Sequence, residues 1–518
     1  LVPAVTVDFP VGFRNAAVLP SLGTEFSKER ACIVVNELCC KELGTFNNNL
    51  PNLSMAVERR VFTVSDGNGG FVECPKPMPG AFEQLGVVDL VLEQFDKRFA
   101  SRMSYDEFLH QCPRHARKSY AKAIETNKIE GVQKHHAWIF PFVKNEKVDV
   151  SKACRLISPR HKRYNVELGR YTRAIEEEMY RAIGRAWNDV WGGENTIAKG
   201  MTVAQIGRAM RQKWDAFSDP VAVGLDASRF DQHVSRQALV YEHEFYRRLF
   251  AGDQFLIMLL KWQLKNRFVV KMDGNKYVFF VDGTRMSGDM NTALGNCIIM
   301  STLLLEYCLL RQVTAKLINN GDDCVVFMER ADLAKFSAGL GDWFLAKGFE
   351  MKIEPPCFCF EEIEFCQMHP VYSNGWIMVR NVAGALTKDC MSLGARTIQD
   401  YKRWLHAVGQ CGYSLYGDMP IFGSMYARFM AIGMPSNIKY SNLMANSGFM
   451  RLGKYPRVRL EDRVGVSDRT RLSFQRAFGI TVTEQLEVES LFNNFVLADK
   501  LSVGAKFCGL KHLARGIL

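Results

Sequence analysis

The fifteen cysteines of this 518-residue chain include no Cys-x-x-Cys pair. Scattered cysteines without paired spacing argue against a disulfide framework and suit reduced thiols in a cytosol. Four possible zinc ligands, Cys357, Cys359, Cys366 and His369, do crowd together. The apolar Phe358 and Phe360 between them read as strand core, so no structural zinc is expected. Long hydrophobic runs are also scarce. Leu256 to Leu260 is too short for a bilayer, and Cys297 to Leu310 carries Glu306, so neither is expected to span one. Nothing reads as a signal peptide, and the chain opens on Leu1 rather than Met, as expected of a fragment or the downstream part of a longer translation product. Acid is in deficit, 55 Asp and Glu against 66 Lys and Arg. The resulting net charge of +11 favours a polyanionic partner, although solvation alone accounts for as much. A hydrophobic content of 47% and a mean hydropathy of −0.10 exclude a disordered chain and leave a globular protein of two or three lobes.

What is present centres on Lys316 to Phe327, where two apolar runs flank Asn319-Asn320-Gly321-Asp322-Asp323. This reads as a β-hairpin with two adjacent carboxylates at its tip. Such carboxylates repel one another, and a fold that sets them side by side suits a divalent cation held by hard oxygens. About a hundred residues upstream, Val221 to Leu225 reads as a buried strand ending at Asp226, with Asp231 five residues on. A carboxylate at a strand end facing a pair on a hairpin is the arrangement that two-metal phosphoryl transfer needs. Between them, the small polar residues Ser287, Gly288 and Thr292 form a loop opening an apolar helix, with Asn296 near its start.

Asp226 with Asp231, Ser287-Gly288 with Thr292 and Asn296, and Gly321-Asp322-Asp323, in that order, resemble motifs A, B and C of RNA-dependent RNA polymerases from positive-strand RNA viruses. The wording from Ala227 to Ser235 is most similar to the tombusvirus, carmovirus and umbravirus group of plant viruses. The resemblance covers roughly residues 140 to 370. It implies an α/β right-hand fold of fingers, palm and thumb, the palm an antiparallel sheet with packed helices and the thumb mainly helical. It implies template-directed RNA synthesis from ribonucleoside triphosphates, with Mg²⁺ (or Mn²⁺ as substitute) held by Asp226, Asp322 and Asp323. Asp231, Ser287, Gly288, Thr292 and Asn296 would then line the nucleotide, Asp231 accepting from Asn296 beside the ribose 2′-hydroxyl. The basic stretch 144–163 resembles motif F; Lys144, Lys147, Arg155 and Arg160 would contact the triphosphate, Arg155 foremost, with generic RNA-backbone binding as the other reading. Lys352, with Lys347 second, resembles the motif D lysine that can act as a general acid and protonate departing pyrophosphate. Glu364 to Gln367 resembles motif E.

By position, residues 1–214 are expected to form an N-terminal extension and fingers, 215–375 the palm with an inserted fingers segment near 251–285, and 376–518 the thumb. The basic segment from Arg451 to Arg476 would track duplex phosphates, or is an ordinary charged bundle face. Residues 1–131 show no catalytic signal. Partners implied by the resemblance are RNA template and product and a viral companion replication protein that brings the chain indirectly to membranes, in replication complexes of the host cytoplasm. Two rivals remain. A reverse transcriptase would place a bulky ring where Asp231 stands, and a non-enzymatic RNA-binding replication scaffold would have no use for carboxylates at both the strand end and the hairpin tip.

Overall fold

The structure is a computed structural model that describes residues 13–21, 30, 33–34, 43–83, 85–149, 151–191, 196–437, 465–497 and 502–503. At its centre lies a four-stranded antiparallel sheet in the order Ala315–Asn319, Asp323–Glu329, Pro220–Ala227, Met351–Ile353. The alternation of a strand sends Val221, Val223 and Leu225 to one face, against the helices Lys162–Trp191 and Thr292–Arg311. The opposite face carries Ala222, Val325 and Phe327 against the helix Val203–Trp214 and Phe360, Phe365 and Met378. With both faces covered, the strands read as continuous apolar runs, which is why Val221 to Leu225 shows no polar alternation.

The helix Thr292–Arg311 contains the run Cys297 to Leu310 that is not expected to span a bilayer. It is long and apolar enough to cross a membrane by length and composition alone. Every residue from Leu294 to Leu305 is nevertheless buried within the protein, so its all-round apolarity is that of a central core helix.

A second core surrounds the hairpin Lys265–Met272 and Asn275–Asp282, which turns at Asp273-Gly274, both in the left-handed region that a two-residue hairpin turn requires. The strand Ala17–Pro20 adds to its edge, and the helix Leu50–Val57 packs against it, joining the N-terminal part to the inserted segment near 251–285. A third core is helical: Ile398–Tyr416, Phe422–Ile432, Asp468–Phe478 and Val482–Asn494. Val371 and Val379 of the hairpin Met368–Tyr372 and Trp376–Arg380 belong to it, so a boundary at 375 falls inside one supersecondary unit. Arg451 to Arg463 lie outside the described residues. Of the later cations, Arg471 pairs with Glu489, Arg476 with Glu361, and Arg469 lies over the Tyr372 ring.

Several elements are shorter than their periodicity suggests. Gln232 to Phe250 reads as one helix, but Val234 leaves the helical conformation and Ser235 caps a new start at Arg236–Leu249 by accepting from the Ala238 amide. Ala331 to Lys347 breaks at Gly339, whose φ of +76° ends one short helix and begins another. Pro79 to Arg102 keeps only Val87–Glu93 and a short 3₁₀ turn at Lys97–Phe99, which Asp96 caps. Phe358 and Phe360 do not form a strand; Phe360 starts a 3₁₀ turn and Phe358 is exposed.

Gly207 sits where the helix Val203–Trp214 meets the strand Trp376–Arg380, and a Cβ there would stand 2.7 Å from the Trp376 carbonyl oxygen. Backbone cannot swing aside as a side chain can, so Gly207→Ala should destabilise by about 1–3 kcal/mol in denaturant unfolding. Gly341→Ala, in open space on another helix, should cost nothing. Equal stability of the two variants would refute this close packing.

Candidate active site

Strand register sets the acidic centre. Asp226 lies directly opposite Asp323 on one side and Lys352 on the other, so all three side chains project from the same face of the sheet. The turn that carries Asp322 is braced from within. Gly321 adopts φ +97°, its amide donates to Asn319 Oδ1 at 3.0 Å, and Asn319 Nδ2 donates back to the Gly321 carbonyl at 2.7 Å. Lys199 Nζ donates to the Asn320 carbonyl at 3.1 Å, and the Cys366 amide donates to Asp323 Oδ2 at 2.9 Å. Cys366 and Gln367 both have positive φ, the tight turn that aims this amide at the carboxylate.

The crowding of like charges is visible in their acidity. The surrounding protein, and then the Asp322 charge, push the Asp323 carboxyl up to about 7. Asp322 is raised too, by the desolvation of the cleft and then by Asp226. Among the described residues no three His, Cys, Asp or Glu side chains stand close enough together to hold a metal ion. The donor set nevertheless fits one, because the Asp322 and Asp323 carboxyls, both raised, and Asp226 beside them are hard-oxygen donors whose mutual repulsion a divalent cation relieves. Cys357 turns to the Pro355 and Glu362 carbonyls, Cys359 to Glu361, Cys366 to Asn320, and His369 to Glu364.

Asp322 stands at one end of a cavity of about 350 Å³. Asn296, Asp231, Ser287 and Thr292 share its wall. Asn296 Nδ2 donates to Asp231 Oδ1 at 2.8 Å. Asn296 is not a cap: the helix begins at Thr292 after Asn291, and Asn296 lies buried within it. Burial, ahead of the Asn296 bond that opposes it, raises the Asp231 carboxyl. Ser287 Oγ donates to the Leu156 carbonyl and accepts from the Ser158 amide, each at 3.2 Å. Gly288 is required beside it, since a Cβ would meet Pro159 Cα at 2.6 Å. Thr292 Oγ1 closes the loop onto the Met286 carbonyl.

The basic stretch divides. Arg155 lines the cavity, loosely paired with Glu146 at 3.4 Å. Lys144 is held by the same Glu146 at 2.8 Å. Lys147 turns away to the Lys388 carbonyl and the Trp404 ring, where burial lowers its ammonium to about 8. Arg160 is wholly buried, bonding Asp289, Asn266 and the Ala137 carbonyl. Of the four cations expected to reach a triphosphate, only Arg155 lines the cavity; Lys144 shares Glu146 with it, and Lys147 and Arg160 are engaged elsewhere. Lys352 is exposed, 3.4 Å from Glu354, across the ladder from Asp226, whereas Lys347 donates to the Ala81 carbonyl and lies over Trp343.

Three arginines of the cavity wall were not legible beforehand. Arg60 comes from a region without catalytic signal, Arg229 from the stretch read only for its carboxylates, and Arg285 from just before the loop at Ser287. Burial first, then the neighbouring Arg229 and Arg155, lower the Arg60 guanidinium to about 10, and its buried Nε has no hydrogen-bond partner among the described residues.

A sequence model of viral RNA-dependent RNA polymerases matches residues 20–499. The chain belongs to the viral RNA-dependent RNA polymerase family. Its relatives include the RNA-directed RNA polymerases of Melon necrotic spot virus, 39% identical over 485 residues (90% of this chain, 60% of the relative), and Oat chlorotic stunt virus, 38% over 501 residues (91% and 65%). That of Tomato bushy stunt virus is 38% identical over 453 residues (86% and 53%). The chain thus spans between about half and two thirds of the length of these relatives. Membership in the polymerase family agrees with the plant-virus group that the wording around Asp226 resembles.

The raised Asp323 carboxyl of this polymerase-family chain has a pH signature. Folded, it keeps up to about 7 a proton that an unfolded aspartate loses near 3.9. The folded state then binds more protons than the unfolded one, so this group's contribution makes the metal-free fold weaker as pH rises from about 4 to about 7. In divalent-free buffer Asp323→Asn should melt above the unsubstituted chain at about pH 8 and level with it at about pH 4. Mg²⁺ should narrow the gap at the higher pH. Equal melting at about pH 8 without metal would show that the carboxyl is not raised.

Proposed function

We propose that this chain is the catalytic part of an RNA-directed RNA polymerase, extending an RNA 3′-hydroxyl with ribonucleoside triphosphates on an RNA template. The observation that carries the reading is the pairing of Asp226 with Asp323, next to Asp322, which lines a cavity whose walls also supply arginines and the Asp231–Asn296 pair. The parts then correspond to a palm around the four-stranded sheet, fingers around the second core that joins the N-terminal part to the inserted hairpin, and a helical thumb.

The residues divide the work. Asp226 and Asp322, with Asp323 in support, would hold Mg²⁺ or Mn²⁺, which supplies charge neutralisation at the attacking and leaving oxygens. The 3′-oxygen bonds to the α-phosphorus as the bond to pyrophosphate breaks. Arg60, Arg155 and Arg229 crowd three guanidiniums into one wall, which is unfavourable until an anion of triphosphate charge lies among them. Lys352, opposite Asp226 in the ladder, would give a proton to the departing pyrophosphate. Base pairing copies sequence, so the protein needs to grip only backbone and shape. A companion replication protein and membrane-associated complexes of the host cytoplasm complete the reading by family likeness.

Incorporation of labelled ribonucleotide on an RNA template tests it directly. Asp322→Asn, nearly isosteric, should abolish incorporation while RNA retention and melting persist; normal turnover in Mg²⁺ would remove Asp322 from the centre.

A second outcome concerns the sugar. The 2′-hydroxyl both donates and accepts, and a pocket built to bond it leaves polar groups unpaired when a deoxynucleotide binds. Losing one such bond, on the order of 1.4 kcal/mol, corresponds to about ten-fold. Asn296→Ala should therefore lower the preference for ribonucleotides by about ten-fold, measured as the ratio of kcat/KM for the two sugars. An equal loss for both sugars would withdraw Asn296 from sugar selection.

A further inference from the structure

We infer that Arg285 is a positioning residue for sugar recognition: its guanidinium fixes which way the Asn296 amide faces and so holds Asn296 Nδ2 on Asp231. The inference rests on the reading of the cavity as a nucleotide site.

An asparagine side chain has two nearly isosteric ends, one donor and one acceptor, and only its neighbours decide which faces where. A guanidinium N–H can only donate. Arg285 Nε donates to Asn296 Oδ1 at 3.1 Å, so Nδ2 is left to face the Asp231 carboxylate, which it meets at 2.8 Å. With Arg285 absent, nothing described on the Oδ1 side opposes a rotated amide.

Arg285 is itself held without slack. Its Nη2 pairs with Glu242, and both side chains are fully buried. Glu242 also accepts from Tyr246 Oη at 2.6 Å and from Asn291 Nδ2 at 2.7 Å, and Asn291 Oδ1 accepts from Gln263 Nε2 at 2.9 Å. The helix makes room for the pair at Gly295, where a Cβ would come within 2.4 Å of Arg285 Nη2. The glycine before Asn296 is thus explained by the ion pair beneath it. A second, independent feature points to a ligand. Arg285 lines the cavity, and its buried Nη1 has no hydrogen-bond partner among the described residues. A buried donor left unpaired is costly, and a hydroxyl-bearing sugar edge offers the acceptor it lacks.

The test compares ATP with dATP on an RNA template, reading the ratio of kcat/KM and, by equilibrium titration, the ratio of Kd. Arg285→Lys keeps the charge but loses the fork. It should lower the ribose preference about ten-fold, the scale of one buried hydrogen bond. The double variant with Asn296→Ala should show no lower preference than Asn296→Ala alone, since both act through one amide. Should Arg285→Lys fail to fold, Arg285→Met with Glu242→Gln removes both buried charges together while keeping an acceptor for Asn291 and Tyr246; the same fall is expected. A preference unchanged in these variants, a loss shared equally by both sugars, or a fall that adds in full to that of Asn296→Ala would overturn the role of Arg285. An unsubstituted chain that incorporates neither nucleotide would instead strike the polymerase reading, so the two failures are distinct.

Discussion

Two carboxylates stand directly across an antiparallel ladder, Asp226 against Asp323, and like charges in that position destabilise a sheet. The core makes the pairing hold. Leu225 and Cys324, the next pair along, face the helical side, and Gly224 and Val325, the pair after, face the other. Slipping the register by one residue would turn every apolar side chain of a two-sided core onto the wrong face. The acidic centre is therefore placed by hydrophobic packing that contains no acid, and the repulsion at its tip is what suits it to a cation.

The arginines around the cavity fall into two kinds. Arg160 and Arg285 are wholly buried and matched by Asp289 and Glu242. Gln263 and Asn291 join those two pairs into one network: Gln263 Nε2 donates to both Asp289 and Asn291, and Asn291 donates to Glu242. Such pairs add little net stability, but they fix geometry, and breaking one side leaves a buried charge unpaired. Among the described residues Arg60 and Arg229 bond only backbone carbonyls, and Arg155 shares Glu146, at 3.4 Å, with Lys144. The matched cations build the wall, and the unmatched ones give it an unsatisfied positive field.

Much of this was legible in the sequence where the signal is local. The Asp273-Gly274 turn, the capping box at Ser104 and the hairpin around Gly321 each follow from residue types within a few positions. Helix lengths were less so, because one β-region residue at Val234 or one left-handed glycine at Gly339 ends a helix whose apolar spacing continues. The basic stretch misled for a different reason. Lys144, Lys147, Arg155 and Arg160 look alike in sequence, and what separates them is whether Glu146, the Lys388 carbonyl or Asp289 has taken the charge. Arg60 had no local pattern at all; a tertiary contact across more than 90 residues brings it beside Ala153 and Arg155.

The helix Thr292–Arg311 shows the same limit from the apolar side. By composition it could sit in lipid, and hydropathy cannot distinguish a bilayer from the interior of a protein. Its polar residues make the distinction. Thr302 returns its hydroxyl to the Ile298 carbonyl of its own helix, a bond available in either setting. Asn296 cannot be satisfied that way; it bonds Asp231 and Arg285, both of which lie outside the helix and before it in sequence. A buried amide so dependent on distant partners is stable only once the surrounding fold is complete. Its place in an apolar helix is thus a property of the site rather than of the helix, which is why changing its partners should be felt in what the cavity selects.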